Sequence, residues 1–278
     1  MPDTAADAGA VRFGLVEGEP DRPDTLVIAE LDGHPFTPQP RDLDGHRTGR
    51  AWPLADVRLL APVLPSKIVA FGRNYAEHAA ELGHEVPEVP ITFLKPSTSV
   101  IGPNETIAYP DVSKDVHYEA ELAVVIGRLC RQVPRERVPE VILGYTCAND
   151  VTARDLQRAE NQWGRAKGFD TFCPLGPWIE TELDLAGASG TGNPADLSIT
   201  CTVNDELKQA GRTSQMIRGV AELVAFVSEA MTLLPGDVIL TGTPSGVGHR
   251  RTPPLYLKSG DVVGVEVTGV GALRNTVA

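Results

Sequence analysis

Residues 117–127 constrain this chain most, because they carry two carboxylates into a predicted β-strand. Residues 122–126 form a short run rich in β-branched side chains that a glycine closes, which is typical of a strand. Side chains alternate faces along a strand, so Glu119 and Glu121 project from the same side. Two buried carboxylates at this spacing would raise one pKa strongly unless a positive charge lay between them. The segment therefore predicts either an oxygen-ligand site for Mg²⁺, Mn²⁺ or Ca²⁺, or an edge strand whose glutamates face water.

The composition is that of a globular protein rather than a nucleic-acid-binding one. The chain has 278 residues, of which 42% are hydrophobic and 22% charged, and its formal net charge is −12. This length permits one large domain or one large and one small domain. The negative charge argues against a nucleic-acid partner. No apolar run reaches the length that spans a bilayer, so we expect no membrane partner.

The cysteines and the N-terminal segment indicate the compartment. Cys130, Cys147, Cys173 and Cys201 are scattered without a Cys-x-x-Cys pair, which fits buried reduced thiols better than a zinc site or a disulfide framework. Residues 1–10 lack the basic and apolar regions of a signal peptide. We therefore expect a cytoplasmic protein.

The chain divides by pattern into a tail, a small lobe and a main body. Residues 1–10 are predicted to be a disordered tail, and residues 11–65 a small N-terminal β-rich lobe of short apolar runs broken by Gly, Pro and Asp. Residues 66–278 are predicted to be the main body. Within it, residues 180–196 are rich in Gly, Ser and Ala and predict a mobile surface insertion.

Helices are expected in three places in the main body. One begins at Asn74 as N-cap and ends near Gly83, one runs from about residue 152 to Trp163, and one covers residues 216–234 with an apolar stripe at helical spacing. Strands outnumber helices and come in clusters instead of strict alternation with them. The pattern predicts an α+β fold, β-dominated, whose sheets enclose the site.

Two of these helices carry side chains that suit catalysis. His78 and Glu81 stand three residues apart and share a helix face, as in a general base oriented by a carboxylate or in an incidental surface ion pair. Asp150 lies at a strand-to-helix junction, where it either serves a functional site or caps the helix. Arg154 and Gln157 point the same way on the helix that follows.

Other candidates lie in segments predicted to be loops. Lys167 falls in a loop after the second helix, and Lys95 ends a short strand. Residues 242–248 contain glycines that let backbone N–H groups approach an anion. The segment has neither the Gly-Lys-Ser/Thr of a nucleotide P-loop nor a serine nucleophile elbow.

Taken in order, six segments resemble the fumarylacetoacetate hydrolase family, and the resemblance runs from about residue 67 to the end of the chain. The matching segments are GRNYAEH at 72–78, FLKP at 93–96, EAEL at 119–122, NDVTARD at 149–155, AKG at 166–168 and GDVILTGTP at 236–244. The resemblance implies that residues 66–278 are the catalytic domain, a mixed β-sheet roll that follows a small N-terminal β-rich lobe, and usually a homodimer.

The resemblance also assigns roles to residues of this chain. It implies Mg²⁺ or Mn²⁺ held by Glu119, Glu121 and Asp150, which suits an ion that keeps open positions for substrate oxygens. It implies catalysis by His78, Glu81 and Lys167, the last adding positive charge at a developing oxyanion. The candidates for binding substrate carboxylates are Lys95, Arg154, Gln157 and Thr243.

The resemblance implies a substrate that is a 2-oxo acid or acylpyruvate and passes through a metal-stabilised enolate. Fumarylacetoacetate hydrolase itself has a further acidic ligand before its histidine, which residues 71–74 do not offer. The departure favours acylpyruvate hydrolases, oxaloacetate decarboxylases and the 2-hydroxyhepta-2,4-diene-1,7-dioate isomerase / 5-oxopent-3-ene-1,2,5-tricarboxylate decarboxylase of homoprotocatechuate catabolism.

The first hypothesis is hydrolysis of a C–C bond, because His78 and Glu81 together favour water activation. Decarboxylation or isomerisation of a 2-oxo dicarboxylate is the alternative within the family. A hypothesis from another class is a non-catalytic protein that binds metal and a 2-oxo acid.

Overall fold

The computed structural model describes residues 9–19, 22–36, 44–83, 85–185 and 195–278. The chain divides into two compact units, Met1–Arg58 and Leu59–Ala278. Most of the predicted tail and residues 186–194 of the predicted insertion lie outside the described residues. Among the described residues, no helix combines the length and apolar character needed to cross a membrane.

The first unit is built on a three-stranded antiparallel sheet with β2 in the centre. Its strands are β1 (Phe13–Glu17), β2 (Val27–Leu31) and β3 (Arg47–Pro53). Glu30 on β2 is buried, and its carboxylate accepts hydrogen bonds from Arg12 at 2.7 Å and from Arg50 and Thr48 at 2.6 Å. Burial acts to raise the pKa of Glu30, but these donors outweigh it and lower the pKa below its ordinary value.

The second unit contains the remaining strands and the α-helices. In chain order they are β4 (Ile68–Gly72), α1 (Ala76–Glu81), β5 (Ile91–Lys95), β6 (Val100–Ile101), β7 (Thr106–Ile107), β8 (Val116–His117), β9 (Ala120–Ile126), β10 (Ile142–Asn149), β11 (Thr152–Ala153), α2 (Arg154–Ala159), α3 (Gly164–Lys167), β12 (Cys173–Glu180), β13 (Ser198–Val203), β14 (Glu206–Arg212), α4 (Val220–Ala230), β15 (Val238–Leu240), β16 (Val262–Val267) and β17 (Gly271–Val277).

A mixed seven-stranded sheet carries β9 at its middle, in the order β5-β4-β15-β9-β10-β12-β6. β9 pairs antiparallel with both β15 and β10, while β15–β4 and β12–β6 are parallel pairs. Every residue of β9 is buried. The continuous apolar run from Leu122 to Ile126 is typical of a strand covered on both faces. The predicted strand is therefore confirmed, and the alternative of an exposed edge strand is wrong.

A second sheet, in the order β14-β13-β16-β17-β7, packs against the first. Ile199 on β13 and Val265 on β16 belong to the same buried cluster as Leu122 and Val124 on β9. Burying one apolar face of each sheet against the other removes both from water and fixes their separation. The β-dominated α+β prediction is confirmed, and β9 lies where the two sheets meet.

Two of the predicted helices are shorter than expected at their boundaries. α4 covers Val220–Ala230 instead of residues 216–234, because Gly219 and Met231 at its two ends are extended. α1 has Tyr75, not Asn74, as its N-cap. The Asn74 side chain instead donates to the carbonyl oxygens of Arg218 and Thr241, so it links the turn before α1 to the segments before α4 and after β15.

The helix expected to reach Trp163 is broken into two. α2 ends at Ala159 because Glu160 is extended, with φ −110° and ψ 145°. α3 follows, and it ends at Lys167, which the sequence pattern placed in a loop. Asp150 caps neither helix, since the N-cap of α2 is Ala153 and makes no side-chain cap. The capping alternative for Asp150 is therefore wrong.

All four cysteines are buried and free, as predicted.

Candidate active site

Three carboxylates converge where β9 begins and β10 ends. The antiparallel register sets Ala148 opposite Glu121 and Asn149 opposite Ala120, and the Asp150 N–H donates to the Glu119 carbonyl oxygen at 2.8 Å. Glu119, Glu121 and Asp150 are all buried, and one carboxylate oxygen from each lies within 4.8 Å of the others. The sheet therefore brings together the three residues for which a shared cation was predicted.

Three cations pack against this acidic cluster. Lys167 Nζ donates to Glu119 at 2.8 Å and to Asp150 at 2.5 Å, and Lys95 Nζ donates to the other oxygen of Asp150 at 2.5 Å. Arg154 donates to the second oxygen of Glu119. Burial acts to raise the pKa of Glu119, but Lys167 and Arg154 outweigh it and hold the pKa well below its usual range. Glu119 is therefore ionised.

Glu121 has a different environment. Burial raises its pKa well above the ordinary value, and the negative charges of Asp150 and Glu119 raise it further. Among the described residues its carboxylate accepts the Gly242 N–H at 2.6 Å and forms no ion pair. A divalent cation would supply the missing positive charge. The donor set of carboxylate oxygens fits a hard ion such as Mg²⁺ or Mn²⁺.

His78 and Glu81 meet on α1 as the helical spacing predicts. The His78 Nδ1 lies 3.4 Å from a Glu81 carboxylate oxygen, and His78 is buried. Glu81 also accepts the Gly246 N–H at 3.2 Å, which fixes the carboxylate from the opposite side. Since Nδ1 faces Glu81, Nε2 is the nitrogen left to exchange a proton with a substrate.

A cleft of about 310 Å³ joins this histidine to the acidic cluster. Seven of the ten predicted site residues line it: His78, Glu119, Glu121, Arg154, Gln157, Lys167 and Thr243. Glu81 and Asp150 stand directly behind lining residues. The cleft thus places a histidine, buried carboxylates and cations around one volume.

The four residues predicted to bind substrate differ in the contacts that they make in the structure. Arg154 contacts Gln157 at 2.5 Å, so their predicted common orientation is observed. Thr243 uses its hydroxyl to donate to the Ala120 carbonyl oxygen at 2.8 Å. Lys95 is buried against Asp150 and does not line the cleft, which favours holding that carboxylate over binding substrate.

The cleft is also lined by six residues to which the sequence pattern gave no role. They are Phe71, Gly72, Arg73, Leu82, Arg158 and Trp163. Arg73 lies in the GRNYAEH segment. The motif therefore predicted that this segment lies near the site, but not that the Arg73 side chain lines the cleft. Trp163 comes from a different element, and no local pattern places it beside Arg73.

The fold and the buried acidic cluster define a class of protein: a β-roll with a carboxylate-lined cleft suited to a divalent cation. The family model described as "Fumarylacetoacetate (FAA) hydrolase C-terminal" matches residues 67–278. The chain therefore belongs to the fumarylacetoacetate hydrolase family. A second model, "Rv2993c-like, N-terminal", matches residues 5–62.

Relatives of the chain cover it over most or all of its length. It is 48% identical over 273 residues to Protein Rv2993c of Mycobacterium tuberculosis, covering 98% of this chain and 96% of that protein. It is 44% identical over 227 residues to the mitochondrial oxaloacetate tautomerase Fahd2a of Rattus norvegicus, covering 81% of this chain and 71% of that protein.

The fold has a close counterpart among solved structures. The crystal structure of 2-hydroxyhepta-2,4-diene-1,7-dioate isomerase from Mycobacterium marinum superposes with a TM-score of 0.82 at 46% identity. The match covers 97% of this chain and 94% of that one.

Proposed function

We propose that this enzyme moves a proton at the carbon beside the carbonyl group of a 2-oxo acid, as a tautomerase or isomerase. The observation that supports this proposal most directly concerns one cleft. His78 lines it, and the buried cluster of Glu119, Glu121 and Asp150 lines or adjoins it. Two relatives support the reaction type, since one is named an oxaloacetate tautomerase and another a dienoate isomerase.

The residues of the chain would divide the work as follows. His78, oriented by Glu81, would take a proton from the carbon beside the carbonyl and return it at another atom of the same substrate. Lys167 would add positive charge beside the oxygen on which negative charge develops. Arg154 and Gln157 would hold the substrate carboxylate that lies next to the 2-oxo group.

A divalent cation on Glu119, Glu121 and Asp150 would, when bound, supply Lewis-acid polarisation of the 2-oxo group. Mg²⁺ or Mn²⁺ suits this ligand set, and the identity of the ion is part of the proposal. The homodimer, which the family resemblance implies, stays a prediction, and so does the cytoplasmic location, which the cysteines and the N-terminal segment indicate.

C–C bond hydrolysis, the first hypothesis from the sequence, is the second candidate. The observation in its favour is the contact between His78 and Glu81, since a histidine oriented by a carboxylate can activate water as well as carry a proton. Decarboxylation of a 2-oxo dicarboxylate uses the same stabilised negative charge and is distinguished by its product. A protein that only binds metal and a 2-oxo acid would not need the His78–Glu81 pair, so the pair argues against the non-catalytic hypothesis.

The proposal is tested with oxaloacetate, acetylpyruvate and 2-hydroxyhepta-2,4-diene-1,7-dioate, with Mg²⁺ and with EDTA, and with product identification by NMR. We expect interconversion of enol and keto forms, or of double-bond isomers, without loss of carbon. EDTA and the substitution Glu119→Ala should each abolish it. Acetate or CO₂ as the product would replace the proposal with hydrolysis or decarboxylation. Unchanged turnover in Glu119→Ala would remove the carboxylate cluster from the mechanism.

A further inference from the structure

Arg73 has features of a ligand-binding residue. It follows β4, lines the cleft and adopts a φ of 57°, in the left-handed region that an arginine rarely occupies. Such a conformation costs free energy and is found most often at functional sites. The Arg73 Nε is buried and has no hydrogen-bond partner among the described residues, and burial lowers the pKa of the guanidinium. Holding the Arg73 guanidinium at the cleft therefore costs the folded chain free energy.

Trp163 supports the Arg73 guanidinium. The Arg73 Cζ lies 5.8 Å from the centre of the Trp163 ring, within the range of a cation–π contact. The approach depends on Gly72, since a Cβ there would meet the Trp163 ring at 2.4 Å. Trp163 in turn makes an edge contact with Phe93 at 5.6 Å between ring centres. The Trp163 ring thus packs against the Arg73 guanidinium and restricts its orientation.

The other arginines of the cleft are already paired. Arg154 donates to Glu119, and Arg158 donates to Asp115 at 2.5 Å. Among the described residues, no carboxylate forms an ion pair with Arg73. Arg73 is therefore the cleft arginine that no carboxylate in the described part of the chain pairs with, whereas Arg154 keeps only its Nε without a partner there.

The charges of the site indicate what that anion is. Three carboxylates of the acidic cluster face three cations, Lys95, Lys167 and Arg154. A bound divalent ion would leave two positive charges to be balanced, and Arg73 adds a third at the cleft wall. A substrate with one carboxylate beside its 2-oxo group and a second farther along its chain would offset two of these three charges, one at the acidic cluster and one at Arg73.

We infer that Arg73, held on Trp163, binds the distal carboxylate of a 2-oxo dicarboxylate and so selects dicarboxylates over 2-oxo monocarboxylates. The inference rests on the proposed function, because it assumes that the 2-oxo end of the substrate lies at the acidic cluster. A planar guanidinium with several donors suits a carboxylate better than a lysine would.

The experiment compares ligands that differ only at the distal end. Oxaloacetate is paired with 2-oxobutanoate, and 2-oxoadipate with 2-oxohexanoate, and each is titrated calorimetrically into the protein with Mg²⁺. Oxalate, which has no distal group, reports on the acidic cluster alone. The variants are Arg73→Gln, Arg73→Lys and the control Arg165→Gln, an exposed arginine that pairs with Glu160.

We expect Arg73→Gln to weaken binding of the dicarboxylate in at least one pair by roughly 10- to 100-fold, the scale of a lost charge-assisted hydrogen bond. Binding of oxalate and of the monocarboxylates should change by less than about threefold, well under that scale. Arg73→Lys should fall between, and Arg165→Gln should match the wild type.

Equal weakening of both members of a pair, or of oxalate, would overturn the assignment, because Arg73 would then act on the site as a whole. The assignment would also be overturned if the wild type bound neither dicarboxylate more tightly than the monocarboxylate paired with it. Failure of the wild type to bind oxalate with Mg²⁺ would instead remove the proposed function on which the inference rests. Retained oxalate binding in Arg73→Gln shows that the variant is folded.

Discussion

Lys167 illustrates how one side chain can serve both the architecture and the chemistry of a site. It lines the cleft, yet its ammonium also donates to Glu119, Asp150 and the Thr152 hydroxyl. Burial acts to lower the pKa of Lys167, but the carboxylates of Asp150 and Glu119 outweigh it and raise the pKa above the ordinary value. The lysine therefore stays charged, and we expect it to act as a fixed positive group rather than as a base.

Replacing Lys167 with Met should lower kcat by at least about 100-fold, the scale of losing one oxyanion stabiliser. Mg²⁺ binding should persist, because removing the ammonium leaves the carboxylates free for the cation. Steady-state kinetics and Mg²⁺ titration check this, with the exposed Lys258→Met as the control. A change confined to KM would instead make Lys167 a uniform binding residue.

At the scale of elements, Gln209 on β14 connects the second sheet to the backbone that carries the acidic cluster. The buried Gln209 donates to the Thr243 hydroxyl and the Pro244 carbonyl oxygen, each at 2.8 Å. Its amide oxygen accepts the Ala120 N–H at 2.9 Å. One side chain therefore ties the second sheet to β9, between the two glutamates, and to the segment that follows β15.

The substitution Gln209→Leu should reduce both stability and Mg²⁺ affinity. It leaves buried backbone groups without partners, at about 1–3 kcal/mol for each. It also frees the backbone that positions Glu119 and Glu121. Thermal unfolding and Mg²⁺ titration measure the two effects, with the exposed Gln132→Leu as the matched control. A lower melting temperature with unchanged Mg²⁺ affinity would make Gln209 a structural residue only.

For the whole molecule, we expect the buried acidic cluster to link cation binding to folding. Three clustered carboxylates lose hydration when the second unit folds, and burial, followed by the negative charges of Asp150 and Glu119, raises the pKa of Glu121. A cation that binds only the folded chain stabilises it by about 2.7 kcal/mol at a concentration one hundred times its Kd. The cluster should therefore make stability depend on the cation.

Saturating Mg²⁺ should raise the melting temperature by roughly 5–10 °C, given the usual shift per kcal/mol for a unit of this size. EDTA should reverse the increase. Glu119→Gln should melt at a temperature that Mg²⁺ does not change. Scanning calorimetry checks both proteins, and a wild type that responds to neither Mg²⁺ nor Mn²⁺ would contradict the metal site.

The sequence by itself determined the features that depend on short-range order. Alternation along the predicted strand placed Glu119, just before β9, and Glu121, within it, on one side, and helical spacing joined His78 to Glu81. The six motifs established the family. These relations hold because neighbours in a strand or helix have fixed geometry wherever the element packs.

Only the tertiary structure decided which distant residues meet. It placed Lys95 behind Asp150, ended α3 at Lys167, and brought Trp163 against Arg73, some ninety positions earlier in the chain. Sheet order and the packing of two sheets create these contacts. Packing follows from the burial of the whole apolar surface, so no local pattern encodes which side chains it brings together.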